Sequence, residues 1–320
     1  MTDPTTAPRR DNIGRGIAFT VTATLVFGVQ DAVAKILVQS YSPFQITMMR
    51  YWAFAAFSLL LVSRQAPLRQ ALKSQHPWLQ LTRGLLLVLD IWCFAIAVRT
   101  VPLAELQAIS LVYPLLVTIV VIPILGEKVG PFRFGAVIVG FLGAMIIVRP
   151  GGLPLDWGVL FAVLSSSSYA VYTALTRKVS REDTTATSMV YVGLVGLVFS
   201  SAVGVFFWKP MDWQGIGFVL VVMTTTCVAH SLMMAALAVA PASVLQPFNY
   251  VSLPWAIFLS FVVFSHVIDG VSLIGAGVIV GAGLVVMARE RRLAAQRKSA
   301  AATALSGGEA GPQAAGSPPH

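Results

Sequence analysis

The chain has 320 residues, 57% hydrophobic and 11% charged, against roughly 45–50% and about 25% in a soluble globular domain. A chain this apolar cannot keep most of its surface in water, and at ~20 residues per spanning helix it has room for about ten spans and no soluble domain. Its net charge of +9 does not imply a nucleic-acid partner, because most Lys and Arg residues sit in short connections between apolar runs.

Residues 1–13 read as a disordered tail. Arg9, Arg10 and Arg15 then precede an apolar stretch that could imitate a secretory signal, but it carries Gln30, Asp31 and Lys35 and lacks a cleavage site. It reads as a retained first helix. Runs of spanning length fall at Gly16 to Val38, Pro43 to Val62, Trp78 to Val98, Pro102 to Leu125 and Phe132 to Val148. Five more follow at Trp157 to Thr176, Thr185 to Trp208, Trp213 to Val239, Ala242 to Ser265 and Val267 to Ala288. Residues 289–320 form a basic segment and then a tail rich in Ala, Gly, Pro and Ser. Cys93 and Cys227 lie inside apolar runs with no paired spacing, so neither a disulfide nor a metal framework is indicated.

Ten spans put both termini on one side. That side collects sixteen of the basic residues, the opposite side only Arg99, Arg149 and Lys209, while Lys35, Arg50 and Arg83 fall within spans. Cytoplasmic loops carry the excess of Lys and Arg, which predicts cytoplasmic termini. The halves also resemble each other. Gly16, Phe19, Ala32 and Lys35 recur 142 positions later as Gly158, Phe161, Ala174 and Arg177. Pro102, Leu106 and Gln107 recur 139 later as Pro241, Leu245 and Gln246. Five helices per half require the second half to enter the membrane upside down. The predicted fold is therefore an all-α integral membrane protein of ten transmembrane helices, built as two inverted five-helix repeats, 14–149 and 156–288. Such repeats place a substrate site at their interface near the midplane.

Charges within spans cost ~2.5–3.5 kcal/mol on insertion scales and are functional or pairing candidates. At ~1.5 Å per residue, Asp31 lies roughly 22 Å from the inner edge of the first span and Arg50 roughly 10 Å below the outer surface, nearly one depth in a ~30 Å core. Asp90 comes out slightly deeper. Two roles are open to this layer: Arg50 recognises an anionic or zwitterionic solute with Asp31 or Asp90 holding it or exchanging protons, or the three form a structural ion cluster. Lys35, Arg83 and Glu105 lie near enough to an interface to snorkel.

The second half lacks matching charges: Thr173 stands for Asp31, a position near Val192 for Arg50, and Ala229 for Asp90. Its equipment is neutral, and Gln107, Tyr172, His230, Gln246 and Asn249 join Asp31, Arg50 and Asp90 as candidate substrate-binding residues. A site with one charged wall and one aromatic and amide wall suits an amphipathic organic solute. Pro114 and Pro254 occupy matching places and are candidate hinges, since each removes a helical hydrogen bond. Gly135, Gly140, Gly143, Gly277 and Gly281 offer small-residue faces for close helix contact, within the fold or between two copies as in a homodimer.

Val101-Pro102-Leu103-Ala104, Tyr113-Pro114-Leu115, Leu125-Gly126-Glu127-Lys128 and Arg149-Pro150-Gly151, in this order, resemble the drug/metabolite transporter superfamily and its EamA-type ten-helix members. Asp31, Lys35 and Arg50-Tyr51 resemble it too. Ser265-His266 stands where Gly126-Glu127 would recur, so the resemblance carries no role for that glutamate in both halves. It implies a secondary carrier, often an exporter, for amino acids and related amines, with members that carry S-adenosylmethionine or riboflavin. The expected function is export of a small metabolite across the cytoplasmic membrane by alternating access; the alternative is uptake of a nucleoside-like or vitamin-like solute. Its partners would be that solute and the lipid bilayer, with no cofactor and no metal. A channel or scaffold is a lesser alternative. An intramembrane enzyme is disfavoured, because His76, His230, His266 and His320 form no HExxH and no GxxxxGK[ST] loop is present.

Overall fold

In a computed structural model, residues 12–64, 67–126, 130–149, 153 and 155–308 are described. Glu127, Lys128, Pro150 and Gly151 of the quoted motifs, and the tails 1–11 and 309–320, lie outside the described residues. Among those described there is no strand. The long helices are α1 (Ile13–Ser40), α2 (Pro43–Ser63), α3 (Pro77–Thr100), α4 (Leu103–Leu125) and α5 (Pro131–Ile147). They continue as α6 (Trp157–Val179), α7 (Thr185–Gly204), α8 (Trp213–Val239), α9 (Gln246–Phe264) and α10 (Gly270–Gly308). Nine of the ten are long and apolar enough to cross a membrane; α5 is apolar but has 17 residues.

Helix starts are written in local chemistry. Asn12, Asp156, Thr184 and Asp212 each accept a hydrogen bond from the N–H three residues on, and Ser42 precedes Pro43 at the start of α2. These caps satisfy donors that would otherwise stand bare at a membrane edge. The last span begins at Gly270 rather than Val267, because Asp269 Oδ1 takes the N–H groups of Val271 and Ser272 and so fixes the cap. Beyond its span α10 stays helical to Gly308, farther than the tail composition predicts, over a stretch rich in the strong helix formers Ala and Arg.

The bundle is apolar outward. Trp78, Trp157, Trp213 and Phe206 are each at least 75% exposed and sit at helix ends, where indole and phenyl groups meet a membrane interface. Inside, α1 packs on α8 and α6 on α3; α4 leans on α6 and α9 on α1; α2 packs on α7 and α5 on α10. Advancing every helix by five positions exchanges these pairings among themselves. The α5–α10 seam is the closest: a Cβ on Gly143 would meet the Gly275 carbonyl oxygen at 2.8 Å. Arg133–Glu290 at 2.8 Å and Arg149–Asp269 at 2.6 Å clamp its two ends.

Two helices are broken. α4 is interrupted at Leu111–Val112, between Leu103–Ser110 and Tyr113–Leu125. α9 opens with a 3₁₀ segment, Gln246–Val251, before its α-helix Ser252–Phe264. The interruptions come just before Pro114 and Pro254, which cannot donate to the carbonyls of Ser110 and Tyr250. α4 and α9 end alike, in left-handed caps at Gly126 (φ 67°) and Ser265 (φ 51°).

Candidate functional site

A cavity of about 300 Å³ lies in the middle of the bundle, walled by α1, α2, α3 and α4 on one side and α6, α7 and α8 on the other. Helical spacing explains its lining. Phe27, Gln30 and Asp31 share one face of α1; Leu87, Asp90, Ile91 and Phe94 share one face of α3. Arg50, Tyr51 and Phe54 come from α2, and Ser165, Ser166 and Tyr169 from α6.

Of the eight residues expected to bind substrate, Asp31, Arg50, Asp90, Gln107 and His230 line the cavity. No oxygen of Asp31 or Asp90 lies within 4.0 Å of the Arg50 guanidinium, and Arg50 has no hydrogen-bond partner among the described residues. The three therefore share the cavity without a direct ion pair between them. Asp90 accepts a 2.6 Å hydrogen bond from Ser165, whereas Asp31 takes none. Three charged groups face one space, and that space is where a ligand could complete them. Tyr51 and Ser110 add buried hydroxyls without a partner among the described residues.

His230 sits edge-on to Phe27 (5.2 Å between centroids) and tilted over Phe54 (4.7 Å), with Nδ1 2.8 Å from the Thr226 carbonyl oxygen. The imidazole therefore donates from Nδ1 and presents Nε2 as an acceptor. The single Thr226 hydroxyl hydrogen is shared between the Gln30 side-chain oxygen at 2.7 Å and the Val222 carbonyl oxygen at 2.8 Å. Gln107 donates to Ser252 at 3.1 Å, crossing from α4 to α9. Tyr113 packs edge-on against Tyr169 at 4.9 Å.

Three expected residues fall elsewhere. Tyr172, one turn beyond Tyr169, stacks behind that ring at 5.7 Å and does not line the cavity. Gln246 and Asn249 border a separate pocket of about 10 Å³ with Pro114, Tyr250 and Met287. The snorkelling expectation also fails in two places. Arg83 is 1% exposed, its head bonded to the Ser188 carbonyl at 2.7 Å and lying over Tyr172, because α7 covers it. Glu105 is 4% exposed and meets His266 at 2.8 Å. Lys35 reaches the carbonyls of Val98 and Val101 at the C-terminus of α3, where the helix dipole favours a cation.

One end of the cavity is sealed. Where α1 and α3 terminate and α4, α6 and α8 begin, Leu37, Val98, Val101, Leu103, Val159 and Val219 pack at no more than 2% exposure. At the other end, Ser74, Gln75 and Gln80 of the α2–α3 region converge on the Asp183 carboxylate in the α6–α7 connection.

The profile of the EamA-like transporter family matches residues 14–149 and 156–288. A riboflavin transporter of Vibrio cholerae is 30% identical over 269 residues, spanning 83% of this chain and 90% of that protein. An S-adenosylmethionine uptake transporter of Rickettsia prowazekii is 20% identical over 264 residues, 82% and 89% of the two chains. A pseudopaline exporter of Pseudomonas aeruginosa is 28% identical over 162 residues, 51% of each. A solved crystal structure of a protein superposes with a TM-score of 0.61 at 19% identity, covering 88% of this chain and 99% of that one, and so has the same fold.

Proposed function

The chain belongs to the EamA-like transporter family, a multi-pass membrane protein of the drug/metabolite superfamily, and on that premise we propose that it takes up a flat heteroaromatic solute of the riboflavin kind. The supporting observation is the cavity itself: one guanidinium and two carboxylates, none paired with another, beside walls of Phe and Tyr rings. At about 300 Å³ it stands at the lower end of the roughly 300–1,000 Å³ of small-molecule sites. Aromatic faces stack on a planar ring system, and the charged groups bind its carbonyls, ring N–H and hydroxyl tail. A plain amino acid would leave most of the aromatic wall unused, so this uptake reading stands ahead of amino-acid export.

S-adenosylmethionine is the second reading. One cation and two anions in the cavity mirror that solute's carboxylate, ammonium and sulfonium.

In this proposal α5 is the tenth span, its 17 residues covering about 26 Å, and the two halves are inverted repeats with cytoplasmic termini. The sixteen-to-three distribution of basic residues and the exchange of helix pairings between halves support it. The decisive experiment is uptake of riboflavin by proteoliposomes, with S-adenosylmethionine and arginine in parallel arms. Saturable riboflavin uptake that Arg50→Ala abolishes is the expected result. Uptake indifferent to Arg50, Asp31 and Asp90 together would reject the site.

A further inference from the structure

The 300 Å³ cavity and the 10 Å³ pocket are neighbours, and Leu111 and Tyr113 border both. The smaller pocket has room for about one water molecule. Gln246 at its edge is exposed, so the pocket lies close beneath the surface. Met287 of α10 lines it, and the Arg291 guanidinium caps the nearby Val244 carbonyl at 3.1 Å, so it lies toward the end of the bundle where α10 leaves the membrane. That end is opposite the apolar seal around Leu37 and Val98. Tyr113 and Leu111 stand between the cavity and this end.

The Tyr113 side chain is held lightly. Its ring has an edge contact with Tyr169, 4.9 Å between centroids. This is a neutral interaction, of the size that shifts an equilibrium by about tenfold or less. Its backbone stands on the break in α4: Val112 N–H bonds the Ile109 carbonyl, three residues back instead of four, and Pro114 supplies no donor to Ser110. The Ser110 hydroxyl, buried at the same break, has no partner in this arrangement. A side chain on an interrupted helix, closing the boundary between two pockets through weak contacts, can turn without unmaking the packed bundle.

We propose that Tyr113 is the gate between the central cavity and the side of the membrane onto which Gln246 opens. When its ring leaves Tyr169, the two pockets join into one passage. The gate rests on the reading of the cavity as the solute site, and the experiment separates the two.

The test uses thiol accessibility in a background with Cys93→Ser and Cys227→Ser. Ser110→Cys places a thiol in the cavity, Gln246→Cys one at the far side of Tyr113, and a membrane-impermeant maleimide is applied to vesicles of each orientation. Gln246→Cys identifies the side. From that side Ser110→Cys should react slowly with Tyr113 present and at least about tenfold faster with Tyr113→Ala, with no change from the opposite side. Tyr169→Leu removes the same edge contact from the other side and should raise the rate about threefold to tenfold. This variant keeps Tyr113 and carries the test if the alanine variant misfolds. Rates indifferent to Tyr113 and Tyr169, or a rise from the wrong side, overturn the gate. Riboflavin should slow the labelling of Ser110→Cys; absence of that protection with an intact Tyr113 effect rejects the solute reading and leaves the gate standing.

Discussion

The wall that α1, α2 and α3 raise around the cavity carries Asp31, Arg50 and Asp90, whereas α6, α7 and α8 offer Ser165, Tyr169, Val192, Thr226 and His230. Yet the helices bearing these walls pair in an exchangeable way, α1 with α8 and α6 with α3. The packing scheme is thus shared by the two halves while the site is not. Helix packing depends on shape along whole seams, while binding depends on single side chains, so the halves can differ in charge without differing in their seams. The comparison is sharp at matching positions: Val192 lines the cavity near where Arg50 would recur, and Ala229, the counterpart of Asp90, is fully buried.

If the charged wall dominates recognition, Arg50→Ala should have the largest effect on binding. Removing one partner of a buried charged contact costs about 2–5 kcal/mol, a loss of roughly thirtyfold or more in affinity. Ligand-induced thermal shift of the purified protein measures it, and a change below about twofold would put recognition on the neutral wall instead. Val192→Ala, across the cavity, should stay within a few-fold.

Gly196→Ala attacks the place where the two walls touch. A Cβ there would stand 1.9 Å from the buried Tyr51 ring, which would have to shift toward the cavity. Overpacking of this kind costs about 1–3 kcal/mol, read as a lowered thermal midpoint. Tyr51→Leu in the same chain should restore part of the loss, because the clash disappears with the ring. Additive losses would show that the contact is not what constrains Gly196.

Ser165→Ala tests whether the neutral wall serves the charged one. Ser165 donates to Asp90 at 2.6 Å, and a hydrogen bond to a charged group contributes about 1.5–3 kcal/mol. Only the part that positions the carboxylate reaches the ligand, so affinity should fall about threefold to tenfold, with expression unchanged. An unaltered affinity would make this bond structural alone.

The spans were legible because length and hydropathy suffice for a segment that must satisfy its own backbone in lipid. The shared depth of Asp31, Arg50 and Asp90 was legible too, since helix rise is fixed and the helices are continuous through those residues. Their neighbours Phe27, Leu87 and Phe94 could have been found the same way, three or four residues off the charges. Tyr172 was misplaced because polarity alone does not say which turn of α6 reaches the cavity. Gln246 and Asn249 went to a second pocket because the 3₁₀ opening of α9 and the break in α4 are tertiary events, signalled in sequence only by prolines that also occur in unbroken spans. The burial of Arg83 depends on α7 lying across it, which no local pattern records.

The smallest expected effect concerns the ends of the bundle rather than its centre. At one end Asp183 joins the halves through Ser74 (2.5 Å), Gln75 N–H (2.8 Å) and Gln80 (2.7 Å); at the other Asp212 meets the Gly215 N–H (2.7 Å) and the Tyr41 hydroxyl (3.0 Å). Burial alone would push the Asp183 carboxyl up, but its hydrogen bonds from Ser74, Gln80 and Gln75 outweigh that and hold it below its ordinary value. Asp212 is lowered too, chiefly by the Gly215 N–H and then by Tyr41. A group depressed in the folded state binds fewer protons there than in the unfolded chain. Its contribution is therefore complete above the ordinary carboxylate value of about 4 and disappears as pH falls through the depressed one. The thermal midpoint should hold between pH 7 and 5 as far as these groups decide it, then fall toward pH 3. Asp183→Asn should start lower and fall less, so that its deficit relative to the parent shrinks on acidification; a deficit equal at pH 6 and pH 3 would mean that the latch at this end does not draw on the carboxylate charge.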